Sequence, residues 1–368
     1  MRNINRGAAR RAFSLVELLV VMFIIALVVA ILVPALGKAR NVGRKAATET
    51  LIQNINQGAA SFATDNQSRL PGYFSPREMG IADNATRGMS GMENILLDLA
   101  PGGVVGTGPN RPAQYASDAD LIAVCPCNDT NKQVWVKTTL IGTSKDKSYI
   151  QLNEKNYVPQ VAGTQQVGVA GHTAPDELTP QLKDLVDSWG TPLLAWVADD
   201  TANGQITQIT DFARDDSSTA TGARYYWNSN SAFLKATASG KMGKNQNDNS
   251  LLGGGANATD RAMSLAGILG SPSSPLDTSR SQPDQILPAA GRGKMIFQSA
   301  GIDGVFLSRD DKGAKQESAR SNFNQRRVVY GWNFRNPNDS SFWMDSSGKP
   351  KSQDVSQDFD DLFQSYAD

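Results

Sequence analysis

Residues 10–34 read RRAFSLVELLVVMFIIALVVAILVP, and one residue in that stretch, Glu17, decides how the rest is read. From Leu18 to Gly37 no side chain is charged. A carboxylate at the mouth of such a run is costly, because ionisable groups in a bilayer cost roughly a few kcal/mol each and tend to be functional. Something must neutralise it. Upstream, Arg2, Arg6, Arg10 and Arg11 stand without any acid, so the positive-inside bias keeps this end cytoplasmic. At about 1.5 Å per residue, Leu18 to Leu36 is just long enough to cross a hydrocarbon core of roughly 30 Å.

A peptidase cut between Ala12 and Phe13 would create a cationic α-amine about one helical turn from Glu17. Within one chain the two charges partly neutralise each other. Between staggered chains, the amine of one subunit meets the carboxylate of the next, which drives ordered assembly and buries the apolar helices against one another. A general secretion signal would also supply a basic leader and an apolar core, and Arg10-Arg11-x-Phe13 fits a twin-arginine signal. Neither calls for a glutamate inside the apolar run, and Ala26 to Ala30 offers only a weak cleavage site beyond it. A plain signal anchor explains the span and leaves Glu17 unexplained.

Arg10-Arg11-Ala12-Phe13-Ser14-Leu15-Val16-Glu17-Leu18-Leu19-Val20-Val21, with Pro34 following, resembles the cleavage and methylation segment of the type IV pilin and type II secretion pseudopilin superfamily. The resemblance implies a bacterial inner-membrane precursor with a cytoplasmic N-terminus and an extracytoplasmic head. It further implies cleavage by a prepilin peptidase before Phe13, N-methylation there, and delivery by an inner-membrane assembly platform to a periplasmic or cell-surface filament. Phe13, Glu17 and Pro34 are the assembly residues under this reading, and Ala12 with Phe13 the processing residues. Ala12 departs from the family's glycine before the cut and implies slower processing.

Beyond the span, Leu51, Ile55, Ala59 and Phe62 recur at helical spacing with Ala47 and Ile52 beside them, while Arg44, Lys45, Glu49, Gln53 and Asn54 point elsewhere. The pattern predicts one helix from Phe13 to about Asp65, roughly 80 Å long, with Pro34 leaving the Ala30 carbonyl unpaired and giving a kink or a melted turn. The basic cluster Lys38, Arg40, Arg44 and Lys45 suits phospholipid headgroups or a solvated face equally. The expected organisation is a leader (1–12), a transmembrane or filament-core helix (13–36), its amphipathic continuation (37–66) and a pilin-like head (67–368). The fold class is α+β, the helix packing on an antiparallel-sheet head with large loop insertions. In the head, a short helix is expected at Met92 to Leu99. A run of unassigned type stands at Leu121 to Cys125, and strands are expected at Trp135-Val136, Tyr149-Ile150, Leu193 to Val197, Met295 to Phe297, Val305 to Leu307 and Val328 to Trp332. The stretch 199–291, rich in Ser, Asn, Gly, Thr and Asp, reads as a loop-rich insertion with a little structure at Ala223 to Trp227 and Arg261 to Leu269, and the chain closes on an acidic tail.

Two head segments are similar to the major pseudopilin branch: Asp187-Ser188-Trp189-Gly190-Thr191-Pro192 and Ser299-Ala300-Gly301-Ile302-Asp303-Gly304. The branch's loop and acidic segment bind calcium, which implies a Ca²⁺ site here with Asp303 and the Ala300 carbonyl as ligands. Asp310, Asp311, Asp360 and Asp361 compete for the remaining carboxylate roles. A hard cation of this kind takes about six to eight oxygens. An ordinary Ile-Asp-Gly turn explains Asp303 without any ion.

The remaining chemistry is sparse. Cys125 and Cys127 flank one proline; an oxidising compartment favours a disulfide, although a bridge across one residue is strained, and a reduced buried pair or a metal site stay open. Lysines plus arginines and aspartates plus glutamates both number 36, and loss of the leader's arginines tips the balance acidic, which gives no reason to expect nucleic-acid binding. No metalloprotease, nucleophile-elbow, phosphate-loop or dinucleotide motif is present, and Ser144-Lys145-Asp146-Lys147 has no partner motif. With His172 as its single histidine, the chain reads as a non-enzyme. Tyr225, Tyr226, Trp227, Trp332, Phe334, Phe342 and Trp343 are either core or a surface-binding patch. The latter would suit the competing reading, a membrane-anchored or filament-tip adhesin.

Overall fold

The structure, a computed structural model, describes residues 14–144, 147–159, 182–202, 205–218, 221–276, 283–315, 327–335, 345–347 and 351–366. The chain divides into two compact units, Met1–Ala46 and Ala47–Asp368. Helix α1 (Leu15–Asp65) runs through both and continues unbroken through Pro34, so the melted turn expected there is not seen.

The head's one-turn helices are α2 (Pro76–Met79), α3 (Asn84–Arg87), α5 (Ile209–Phe212), α6 (Ser231–Leu234) and α7 (Gln246–Asn249). Its longer ones are α4 (Gly91–Leu99) and α8 (Ala258–Leu269). Strands β1 (Val104–Thr107), β2 (Leu121–Val124) and β3 (Val134–Lys137) form an antiparallel sheet in the order β1-β3-β2. Strands β4 (Tyr157–Pro159) and β5 (Lys183–Leu185) pair antiparallel, and β7 (Ala213–Arg214) pairs parallel with β8 (Tyr225–Tyr226). The central sheet is β10-β9-β6, antiparallel throughout, from β6 (Leu194–Val197), β9 (Met295–Ser299) and β10 (Leu362–Tyr366).

Side-chain alternation along this sheet explains the rest of the head, since successive residues of a strand point to opposite faces. On one face Ala195, Met295 and Phe297 pack with Ile52, Ile55, Ala59 and Phe62 of α1 and with Ile95 and Leu99 of α4. On the other, Leu194, Trp196 and Ile296 pack with Phe212, Tyr225, Trp227, Leu252, Leu265 and Leu269. Each large side chain fully buried here contributes about 1.5–3 kcal/mol. All five residues of β9 are buried, as a strand covered on both faces must be. The segment 199–291, expected as a loop-rich insertion, supplies the second cover and much of the largest core; α8 is its main element.

Three expected strands are absent. Tyr149 leaves strand geometry because its N–H donates to the Leu99 carbonyl (2.9 Å) and its ring packs edge-on against Phe62. Around Val305 to Leu307 the chain turns, with Leu307 at φ 47° and only one bridge, Ser250 to Ser308. Tyr330–Phe334 coils into a 3-10 turn. The acidic tail, in contrast, ends in strand β10.

Candidate functional site

The first site is the start of α1. Ser14 N–H donates to Glu17 Oε2 (2.8 Å), and Glu17 N–H donates to Ser14 Oγ (3.2 Å). This reciprocal arrangement is a capping box, satisfying two backbone donors that a helix start leaves orphaned. Ser14-x-x-Glu17 carried that signal in the sequence, and the reading of Glu17 as a lone carboxylate missed it. Leu15 to Leu36 is exposed along its whole length, and the helix is long and apolar enough to cross a membrane. Ala12 and Phe13 lie outside the described residues, as do His172, Phe342 and Trp343. Pro34 is exposed within the helix.

The second site is a carboxylate cluster at the end of the central sheet. Pairing of β10 with β9, Leu362 opposite Ser299, carries Asp360 and Asp361 to the loop that follows β9. Asp303, Asp311 and Asp360 each place an oxygen within 4.8 Å of the others. Asp360 Oδ2 accepts the backbone N–H groups of Ile302 (2.8 Å) and Asp303 (3.0 Å). Gly301 makes the approach possible: its φ is +67°, and a Cβ there would run into the Asp360 backbone carbonyl. Asp303 Oδ1 accepts Val305 N–H at 2.8 Å, and Asp360 N–H donates to Asp311 Oδ2 at 3.3 Å.

The cluster is electrostatically uncomfortable. Burial, and then the Asp303 charge, push the Asp360 carboxyl up to about 7. Burial also raises Asp311, with Asp303 and Asp310 adding to the effect. Asp360 Oδ1 is buried without a hydrogen-bond partner. Asp361 is turned inward instead: its oxygens accept Gln298 Nε2 (2.7 Å) and Leu307 N–H (2.9 Å), and burial holds its carboxyl well above the usual range. Gln298 in turn accepts Trp196 Nε1–H at 3.0 Å, a link no local motif announced. Asp310 lies beside the cluster without joining it, and Ala300 is wholly buried.

The two head segments 187–192 and 299–304 meet in space. Ser299 Oγ donates to Asp187 Oδ2 at 2.7 Å, while Asp187 Oδ1 accepts Trp189 and Thr191 N–H, both at 2.9 Å. Burial pushes the Asp187 carboxyl up to about 6. Tyr225, Tyr226, Trp227, Trp332 and Phe334 are all buried, so these five form core and not a surface patch.

Residues 7–33 match the family model for the prokaryotic N-terminal methylation motif. The matched stretch contains Ala12, Phe13 and Glu17, supports the type IV pilin and pseudopilin superfamily, and indicates a pilin-like precursor processed by prepilin peptidase. Such a segment fits an inner-membrane anchor and a structural role. No curated protein and no solved structure matches the chain.

Proposed function

We propose that this chain is a structural subunit of a type IV pilus or type II secretion pseudopilus, cleaved before Phe13 and assembled as a helical polymer. The methylation segment at residues 7–33 carries the reading. In the membrane, the exposed apolar flank of α1 is lipid-covered; in the filament, the same flank packs on neighbouring copies, and the head forms the outer surface. The Phe13 amine of one subunit compensates Glu17 of the next. Peptide mass spectrometry of native membranes and of sheared surface material tests this. A chain starting at methylated Phe13 is expected, and recovery of intact Met1 overturns the processing step.

Calcium is the proposed ligand of the cluster. Three close carboxylates, one with a buried unpartnered oxygen, match the donor type a hard cation takes. Asp303, Asp311 and Asp360 would hold the ion, and bound charge would relieve their mutual repulsion. Calorimetric titration of the full chain with Ca²⁺ is expected to show saturable binding that is lost in Asp303→Asn.

One observation favours a subunit with a binding role. A cavity of about 550 Å³ opens beside edge strand β6, lined among others by Arg69, Tyr73, Arg77, Val197 and Asp200. That volume falls within the range of small-molecule clefts, about 300–1,000 Å³. Subunit counting in purified filaments separates the two readings, a major subunit being abundant and a tip subunit rare.

A further inference from the structure

Cys125 and Cys127 lie at the end of β2, in the turn leading towards β3, and the reading as a filament subunit makes no use of them. Both thiols are free and buried, in an apolar cluster with Phe74, Met89, Leu97 and Val124. Their sulfurs are 2.8 Å apart, and Cys127 N–H points at Cys125 Sγ (3.3 Å). A disulfide of roughly 2.05 Å therefore requires closure of less than ~1 Å. The turn is held from outside as well: Arg87 Nε donates to the Cys127 carbonyl (3.2 Å), and Asn128 N–H donates to Asp83 Oδ2 (3.1 Å).

We propose that Cys125 and Cys127 are a thiol–disulfide exchange site, closing an intramolecular disulfide at the expense of a disulfide-bearing oxidant. A metal is the poorer occupant, because among the described residues no third histidine, cysteine or carboxylate joins the two sulfurs. In the first step Cys127 loses its proton to solvent and its sulfur attacks the oxidant's disulfide, giving a mixed disulfide and one thiolate that takes up a proton. In the second, Cys125 attacks the Cys127 sulfur, expelling the oxidant's other half, which leaves as a thiol carrying the Cys125 proton. Two protein thiols and one oxidant disulfide become one protein disulfide and two small thiols.

The order of attack follows from the environment. Burial and the neighbouring Cys127 sulfur push the Cys125 thiol up to about 12, which starves it of thiolate, and Cys127 is the more exposed of the two at 8 % against 2 %. A ring spanning one intervening residue is strained, so the bond opens readily to small thiols and behaves as an exchangeable link. When closed, it stiffens the turn that Asp83 and Arg87 hold against α3.

The test uses the full chain in detergent, reduced and then exposed to glutathione disulfide, acid-quenched and alkylated before peptide mass spectrometry. The expected product is a 125–127 peptide lacking two hydrogens and carrying no alkyl group. In Cys125→Ser, glutathione is expected on Cys127, forming roughly tenfold or more faster than on Cys125 in Cys127→Ser. Wild-type chains that keep both sulfurs alkylatable, or that carry two separate glutathione adducts, overturn the proposal. Equal rates in the two variants overturn the order of attack. The wild-type arm needs no variant to fold.

Discussion

The chain builds the same local device in two very different settings. Ser14 with Glu17 opens α1, and Ser90 with Glu93 opens α4; in each, the serine hydroxyl accepts the N3 amide and the glutamate accepts the serine's own N–H. In the head both residues are buried, Glu93 at 2 % exposure, under the sheet edge. At the start of α1 both are exposed, in a segment whose neighbours are all apolar. Chemistry that is purely architectural inside a folded core becomes available for recognition when no core surrounds it. Glu17 is a cap that has kept a free side.

The difference can be broken from either end. Glu17→Gln is expected to have the largest effect, because in the proposed filament it removes one partner of a desolvated charge pair, a loss of about 3–5 kcal/mol. Filament recovered from sheared cells should fall more than about 100-fold, while the thermal unfolding of the head stays unchanged. A head that unfolds earlier would place Glu17 in the architecture instead. Phe62→Ala should do the reverse, lowering head stability in denaturant titrations by about 3–5 kcal/mol, because it empties a site shared by α1 and the sheet. Membrane insertion should be untouched. Glu93→Ala should cost the head about 1–3 kcal/mol in the same titration, because it leaves the buried Ser90 N–H without its acceptor, with no change in processing of the N-terminal segment.

The smallest effect sharpens the carboxylate cluster. Asp360 binds its proton more tightly folded than unfolded, so between about pH 4 and about pH 7 the folded state holds more protons. Head stability contributed by that group is therefore present at low pH and falls as pH rises through this window. A melting-temperature series is expected to show that decline without calcium and a shallower one with calcium present or in Asp360→Asn, the remainder coming from the other raised carboxyls, Asp187 among them. A flat profile in calcium-free buffer would remove the electrostatic argument for an ion.

Legibility followed locality. Helices α1 and α4, strands β3, β6 and β9 and the head's contact row on α1 were legible from short apolar runs and periodicity; in that row Ile52, Ile55, Ala59 and Phe62 are buried, while Leu51 is half-buried and Ala47 exposed. What escaped was settled by partners far away in sequence. Tyr149 looks like a strand residue until Leu99 claims its N–H, and the polar composition of 199–291 hides how much of the core it supplies: structure is expected at Ala223 to Trp227 and Arg261 to Leu269, but Phe212 is not singled out. The acidic cluster was legible as a set of residues through the resemblance to the pseudopilin branch's loop and acidic segment, yet not as a selection. Nothing local distinguishes Asp360, which faces Asp303, from its neighbour Asp361, which faces Gln298.

Strand β10 gives the chain a timetable. The central sheet gains one edge, the cluster gains Asp360, and Asn56 on α1 gains a partner in the Ser365 carbonyl (3.3 Å) only when residues 360–366 arrive. During synthesis those emerge more than three hundred positions after the helix they tie down. A nascent chain stalled earlier carries a complete membrane helix and an incomplete head. A subunit cut short of residue 360 would leave β9 open along one side, an unpaired edge available to other chains before assembly.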